Sequence, residues 1–379
     1  MIKVGIERID DYLELFKNKR VGLITNPTGV CQNFKTTIEV LQEKTNLVSL
    51  FSPEHGVRGD LQAGVKLDPY VDEKTGSMVY SLYGETRKPT KEMLADIDVL
   101  AYDIQDVGAR FYTFIYTMAY SMQAAKDENK LFVVFDRPNP LGGLEVEGNI
   151  LDLKYRSFVG YYPMVQRYGL TVGELAKYFN EAFEINCNLK VIPMEGYKRG
   201  MDYVDTGLPF VMPSPNIPTP MSIYSYMATC LIEGTNLSEG RGTTKPFEVL
   251  GAPWLNASNL IKRLEALNLP GVKYRKLHFT PIFSKHKDTL CEGIELYITD
   301  KKAFKPVKTG FAIVYLIKEL HKEFDFIKPW RENQLPFFNL LTGDDLFNGH
   351  YSLDQLFEKI DQDSKTFTKI KERYHLYEV

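Results

Sequence analysis

Four polar clusters, each at the end of a short apolar run, concentrate the side chains that could do chemistry. They are Thr25-Asn26-Pro27-Thr28-Gly29, Ser52-Pro53-Glu54-His55-Gly56 with Arg58 just beyond, Gln105-Asp106 with Arg110 and Tyr112, and Asp136-Arg137-Pro138-Asn139-Pro140 followed by Glu147. The second delivers an acid, an imidazole and a guanidinium side by side, more than a turn needs, and loops on a rigid scaffold are where function concentrates. Two carboxyl groups, a histidine and arginines, without a metal cluster or a cofactor loop, suit glycoside hydrolysis. In that reaction one carboxyl protonates the leaving oxygen and another anion steadies an oxocarbenium-like transition state. The catalytic candidates are therefore Glu54, His55, Asp106, Asp136 and Glu147. The candidate substrate contacts are Asn26, Arg58, Gln105, Arg110, Tyr112, Arg137, Asn139, Asn216, Glu239 and Arg241. Plainer readings stand beside these: a glycine turn at 26–29, a buried ion-pair network around Asp106 and Arg110, and a solvated charge at Glu147.

These clusters need a scaffold that brings them together. Apolar runs at 20–24, 47–51, 99–104 and 131–135 alternate with helical patterns at 34–44, 90–96 and 111–128. Continuous apolar strands alternating with helices predict a parallel sheet covered on both faces, hence a doubly wound α/β N-terminal domain. In such sheets ligands sit beyond the carboxyl ends of the strands, so the four clusters should converge on one crevice. Thr171 with Glu174 three residues later marks a helix start at 171–183, and a strand follows at 189–193. The proline-dense stretch 208–220, which holds Asn216, fits neither helix nor central strand and reads as a rigid cleft wall. After a helix at 221–233 comes a polar loop, 233–247, with Glu239 and Arg241. Helices at 257–267, 309–323 and 352–361 and strands near 272–280 and 293–299 complete a smaller α+β domain. The division expected is 1–230 for the catalytic domain and 231–379 for the domain that closes the crevice.

Composition excludes several classes. The chain has 379 residues with 46 Lys+Arg against 49 Asp+Glu, so it has no global basic field for a nucleic-acid backbone. Its longest apolar runs, such as 131–135, are far too short to span a bilayer, so no membrane partner is expected. Cys31, Cys187, Cys230 and Cys291 stand singly, without a CxxC pair or a histidine at ligand spacing, so no metal site is expected. Glu239-Gly240-Arg241-Gly242-Thr243-Thr244-Lys245 is not a phosphate loop, no GxGxxG follows the first strand, and no nucleotide cofactor is indicated. No GxSxG elbow supports an esterase or amidase.

The segments LITNPTGV (23–30), LFSPEHGVRGDLQAG (50–64), SLYG (81–84), DIQDVGARFYT (103–113), FDRPNPLGG (135–143), YGLTVGELA (168–176), MPSPNIPTP (212–220) and EGTNLSEGRGTTKPFE (233–248) resemble the NamZ-type exo-β-N-acetylmuramidases of bacteria, glycoside hydrolase family 171. The resemblance implies an exo-acting hydrolase that releases N-acetylmuramic acid from the non-reducing end of peptidoglycan fragments, without a cofactor, and a Rossmann-like doubly wound N-terminal domain that holds the active site beside a smaller C-terminal domain. Its alternatives are a noncatalytic sugar-binding protein or a general β-N-acetylhexosaminidase. It also implies that the glutamate of the SPEHG motif, Glu54, is the catalytic acid, with its pKa raised by enclosure. Asp106, Asp136 and Glu147 compete for the second anion. A fixed cation should read the 3-O-lactyl carboxylate; Arg58 and Arg137 are favoured over Arg110, which opens a helical stretch, with Arg241 a fourth candidate. Members of the family usually carry an export signal, whereas this chain opens at MIKVGIERID. The expectation is an extracytoplasmic protein if a signal has been removed, and a cytoplasmic one otherwise.

Overall fold

The computed structural model describes residues 2–53, 56–57, 69–83, 86–329, 331–332, 334–349 and 351–379. Its N-terminal part is a seven-stranded sheet. The strands are β1 (Arg20–Thr25), β2 (Asn46–Ser52), β3 (Tyr70–Val71), β4 (Met78–Ser81), β5 (Val99–Asp103), β6 (Leu131–Phe135) and β7 (Asn188–Ile192). They run in the order β3-β4-β2-β1-β5-β6-β7, all parallel except the short edge strand β3. From β1 the chain winds outward to β2 and β4, then returns to the other side of β1 with β5. The strand order therefore reverses between β1 and β5, the switch point at which an open α/β sheet forms its ligand crevice.

Both faces of the sheet are covered, as the continuous apolar runs require. Alternate residues point to opposite faces. Val21, Leu23, Val99, Ala101, Val133 and Phe135 pack with a 3₁₀ helix, Gly5–Leu15, and with α1 (Thr37–Lys44). Ile24, Leu100, Tyr102, Phe132 and Val134 pack on the other side with α2 (Lys91–Leu94), α3 (Phe114–Asp127) and α4 (Val172–Ala182). The N-terminus of α4 is a capping box: Thr171 accepts the Glu174 N–H, and the Glu174 carboxylate takes the Thr171 N–H at 2.9 Å.

The C-terminal part is smaller. After α5 (Tyr203–Thr206) and α6 (Pro220–Thr229), strands β8 (Val249–Ala252), β9 (Val272–Phe279) and β10 (Cys291–Ile298) form an antiparallel sheet in the order β8-β10-β9. Helices α7 (Ala257–Ala266), α8 (Pro306–Leu320), α9 (Phe337–Thr342) and α10 (Leu353–Lys371) complete it. The predicted stop of the last helix at 361 is corrected to Lys371, because Leu356, Ile360 and Phe367 carry one buried stripe past the polar run Asp361-Gln362-Asp363. Beyond α10 the chain returns to the first domain, where Leu376 donates its N–H to Glu174 at 2.7 Å and Tyr377 donates its hydroxyl to Asp136. Among the described residues no helix is long and apolar enough to cross a membrane.

Candidate active site

A cleft of about 540 Å³ opens between the two parts of the chain. Tyr83, two residues past β4, Arg87, and the run Phe111-Tyr112-Thr113-Phe114 that leads into α3 form one side. Ser157-Phe158-Val159 and two residues of the proline-dense loop, Ser214 and Ile217, extend it. Tyr226 of α6, Glu233, Arg241, Phe247, Gln334, Phe337 and Leu340 form the other side. The rings are braced edge to face: Tyr112 on Phe114 at 4.9 Å, Phe111 on Tyr226 at 5.4 Å, and Tyr226 on Phe247 at 4.8 Å. Edge-to-face pairs fix ring orientation as well as bury area, so the apolar wall is preformed.

One acid–base pair is set into that wall. Glu233 lies in the 3₁₀ turn Cys230–Gly234 that follows α6, and its Oε1 accepts Arg241 through Nε at 3.1 Å and through Nη2. Arg241 is aimed by two flanking glycines with φ of +81°, Gly240 and Gly242. A Cβ on Gly240 would meet the Val249 carbonyl oxygen at 2.6 Å, and one on Gly242 would meet that of Phe283 at 2.6 Å, so both positions demand glycine. The guanidinium lies 5.1 Å from the Phe247 ring centre and 3.3 Å from Glu239, which is itself met by Lys285 at 2.7 Å. Burial pushes the Glu233 carboxyl above its ordinary pKa, and the Arg241 charge opposes that shift.

The clusters that follow β1, β5 and β6 meet one another, mainly as locks between loops. Asn26 binds its own turn, accepting the Thr28 N–H at 3.0 Å, and Thr28 accepts the Gln105 N–H at 2.9 Å. Gln105 then donates to the carbonyls of Asp106 and Pro138, both at 2.8 Å, joining the ends of β5 and β6. Asn139 donates to the Leu170 carbonyl at 2.8 Å. All four side chains are buried. Of the candidate contacts, Tyr112 and Arg241 line the cleft, Asn216 lies between its lining residues Ser214 and Ile217, and Glu239 stands behind Arg241.

The expected second anions lie elsewhere. Asp136 is fully buried and accepts the Arg137 and Gly173 N–H groups at 2.9 and 2.7 Å and the hydroxyls of Thr171 and Tyr377. It fastens β6 to α4 and to the chain end, so it is a structural hub. Asp106 accepts the Gly108 N–H at 2.7 Å and the Tyr168 hydroxyl, and burial pushes its pKa up to about 6. Glu147 caps α8, accepting the Lys308 N–H at 2.8 Å, with its pKa pushed up to about 7 by burial. None of the three lines the cleft.

Two of the expected arginines are buried in the scaffold. Arg137 is buried and paired edge-on with Asp103, and Arg110 is buried with hydrogen bonds to four carbonyls, those of Asn149, Met164, Leu341 and Thr342. Neither lines the cleft. Glu54, His55 and Arg58 lie outside the described residues. The sequence reading missed Tyr83, Arg87, Tyr226, Glu233 and Phe247. The signal for Glu233 was its place at the head of the polar loop 233–247.

Comparison with known proteins places this arrangement. A family model described as exo-beta-N-acetylmuramidase NamZ, N-terminal, matches residues 21–221, and its C-terminal counterpart matches residues 224–377. The peptidoglycan beta-N-acetylmuramidase NamZ of Bacillus subtilis (strain 168) is 49% identical over 385 residues, covering 99% of this chain and 91% of that protein. A crystal structure of a DUF1343 family protein from Bacteroides fragilis NCTC 9343 is 40% identical with a TM-score of 0.90, covering 100% of this chain and 99% of that one. A second DUF1343 structure from the same organism is 33% identical with a TM-score of 0.80 and the same coverage.

Proposed function

The chain belongs to the NamZ family of exo-β-N-acetylmuramidases, and from that premise we propose that it releases terminal N-acetylmuramic acid from the non-reducing ends of peptidoglycan fragments during cell-wall turnover. The observation that carries this reading is the cleft itself, where aromatic walls surround a carboxyl group held by an arginine. Sugar rings offer apolar faces and polar edges, which such a wall accommodates.

Hydrolysis needs a proton for the leaving oxygen and an anion for the charge that develops at the anomeric carbon. Glu54 supplies the proton in this reading. It follows Pro53 at the carboxyl end of β2, and there the Ser52 carbonyl accepts the Leu82 N–H at 2.8 Å, one residue from the cleft-lining Tyr83. Glu233 supplies the anion, with Arg241 fixing one oxygen. A 2-acetamido group can attack its own anomeric carbon, so the anion's task is to hold the amide N–H and no protein nucleophile is required.

The test is turnover of a chromogenic β-N-acetylmuramide beside the matching β-N-acetylglucosaminide. Release of N-acetylmuramic acid with little cleavage of the glucosaminide is expected. Absence of muramide turnover, or comparable turnover of both sugars, overturns the reading.

A further inference from the structure

The charged side chains that line the cleft among the described residues are Glu233, Arg241 and Arg87. Arg241 is answered by Glu233, and Glu239 by Lys285. The remaining charged lining residue is Arg87, whose guanidinium meets no carboxylate among the described residues and instead lies over Phe158, 4.1 Å from the ring centre. Among the described residues that line the cleft, Arg87 is therefore the cation without a carboxylate partner.

The exposed Arg87 side chain rests on stacked rings. Phe158 stacks on Tyr120 of α3, with ring centres 6.1 Å apart and planes 9° apart, so Arg87 tops an aromatic pile rooted in the helix that follows β5. A guanidinium that stacks by its face keeps its edge of N–H donors free, and that edge matches a planar carboxylate.

We infer that Arg87 recognises the 3-O-lactyl carboxylate of N-acetylmuramic acid and thereby sets the preference for muramides over glucosaminides. The inference rests on the cleft being the sugar site proposed above. Among the described arginines it transfers to Arg87 a task for which Arg110 and Arg137 are poorly placed, since both are buried and do not line the cleft, and for which Arg241 is not free while it holds Glu233.

The experiment measures kcat/KM of the full chain, of Arg87→Met and of Arg87→Lys on a chromogenic β-N-acetylmuramide, on its lactyl methyl ester and on the glucosaminide. The readout is the ratio of free acid to ester, which cancels any loss of folded protein. Arg87→Met should lower that ratio by about 10- to 100-fold, mostly through KM, the range expected for a charge-assisted hydrogen bond. Arg87→Lys, which keeps the charge without the planar fork, should fall between. An unaltered protein that prefers the free acid, with the same ratio in Arg87→Met, would overturn the role of Arg87 and leave the proposed function standing. Equal turnover of muramide and glucosaminide by the unaltered protein would overturn both.

Discussion

Arg137 meets Asp103 edge to edge: its Nε donates to Oδ1 and its Nη2 to Oδ2 at 2.8 Å, while Nη2 also reaches the Val30 carbonyl at 3.0 Å. Thr37 at the start of α1 donates its hydroxyl to the same carboxylate. The ends of β1, β5 and β6 are thus bound through one buried ion pair directly beneath the switch point of the sheet. A bidentate pair with both partners buried is costly to break from one side, because the survivor is left charged without water.

Arg137→Met should therefore lower stability by about 3 kcal/mol or more, from the unpaired Asp103 it leaves. Chemical denaturation checks this. The same variant should keep the muramide-to-glucosaminide ratio of the unaltered protein in whatever fraction stays folded, and a narrowed ratio would return Arg137 to the substrate site.

The pair also shows where sequence reading stopped. Strands β1, β2, β5 and β6 were legible because each is a continuous apolar run, and α4 because Thr171 and Glu174 spell its cap. The 3₁₀ helix Gly5–Leu15 was not read at all, and β4 is four residues long with one buried side chain, too short for a period to register. That the loops after β1, β5 and β6 meet was legible from strand ends alone. What their polar residues do there was not, since Asp103 and Arg137 are 34 positions apart and only the fold reveals that each satisfies the other. The cleft walls were harder still, because Phe111, Tyr226 and Phe247 look like ordinary core residues until the two domains meet.

Glu147 gives stability a pH dependence. Its pKa is pushed by burial from an ordinary 4.5 up to about 7, so the folded state keeps a proton that the unfolded chain has released. That contribution is fully present below about pH 4.5 and is lost as pH rises toward 7. Glu147→Gln keeps an oxygen for the Lys308 N–H and removes the titration. Relative to the unaltered protein it should gain stability between pH 4.5 and pH 8, by up to about 3 kcal/mol at 1.36 kcal/mol per unit. Melting curves at the two pH values measure the difference, and a constant offset would mean that Glu147 does not titrate in this range.

Arg110 joins the two domains. Its guanidinium donates to Asn149 and Met164 at 2.8 Å on one side and to Leu341 at 3.0 Å and Thr342 on the other. Arg110→Met would leave four buried carbonyls short of a charged donor, at about 1–3 kcal/mol for each group left unsatisfied. The expected outcome is a protein that fails to fold or melts far earlier, read by calorimetry.

The Glu233–Arg241 pair predicts a shift in the pH profile. Arg241 restrains the upward shift that burial imposes on Glu233, so removing it should raise the Glu233 pKa further. If Glu233 acts as an anion, activity falls as pH drops through its pKa, and Arg241→Met should move that acidic limb to higher pH. An acidic limb that stays in place would assign the limb to another group.

Glu54 as proton donor makes a claim that a merely structural glutamate would not meet. Loss of a general acid costs about 10²–10⁴-fold, and the loss depends on how much protonation the leaving group needs. A nitrophenolate leaves with little help, whereas the sugar hydroxyl of a natural disaccharide does not leave without a proton. Glu54→Gln should therefore slow the disaccharide far more than the nitrophenyl muramide, with an unchanged melting temperature. Measuring kcat on both substrates separates the roles: a large and unequal loss identifies the acid, while an equal loss on both would mean that Glu54 positions the sugar and that the proton comes from elsewhere.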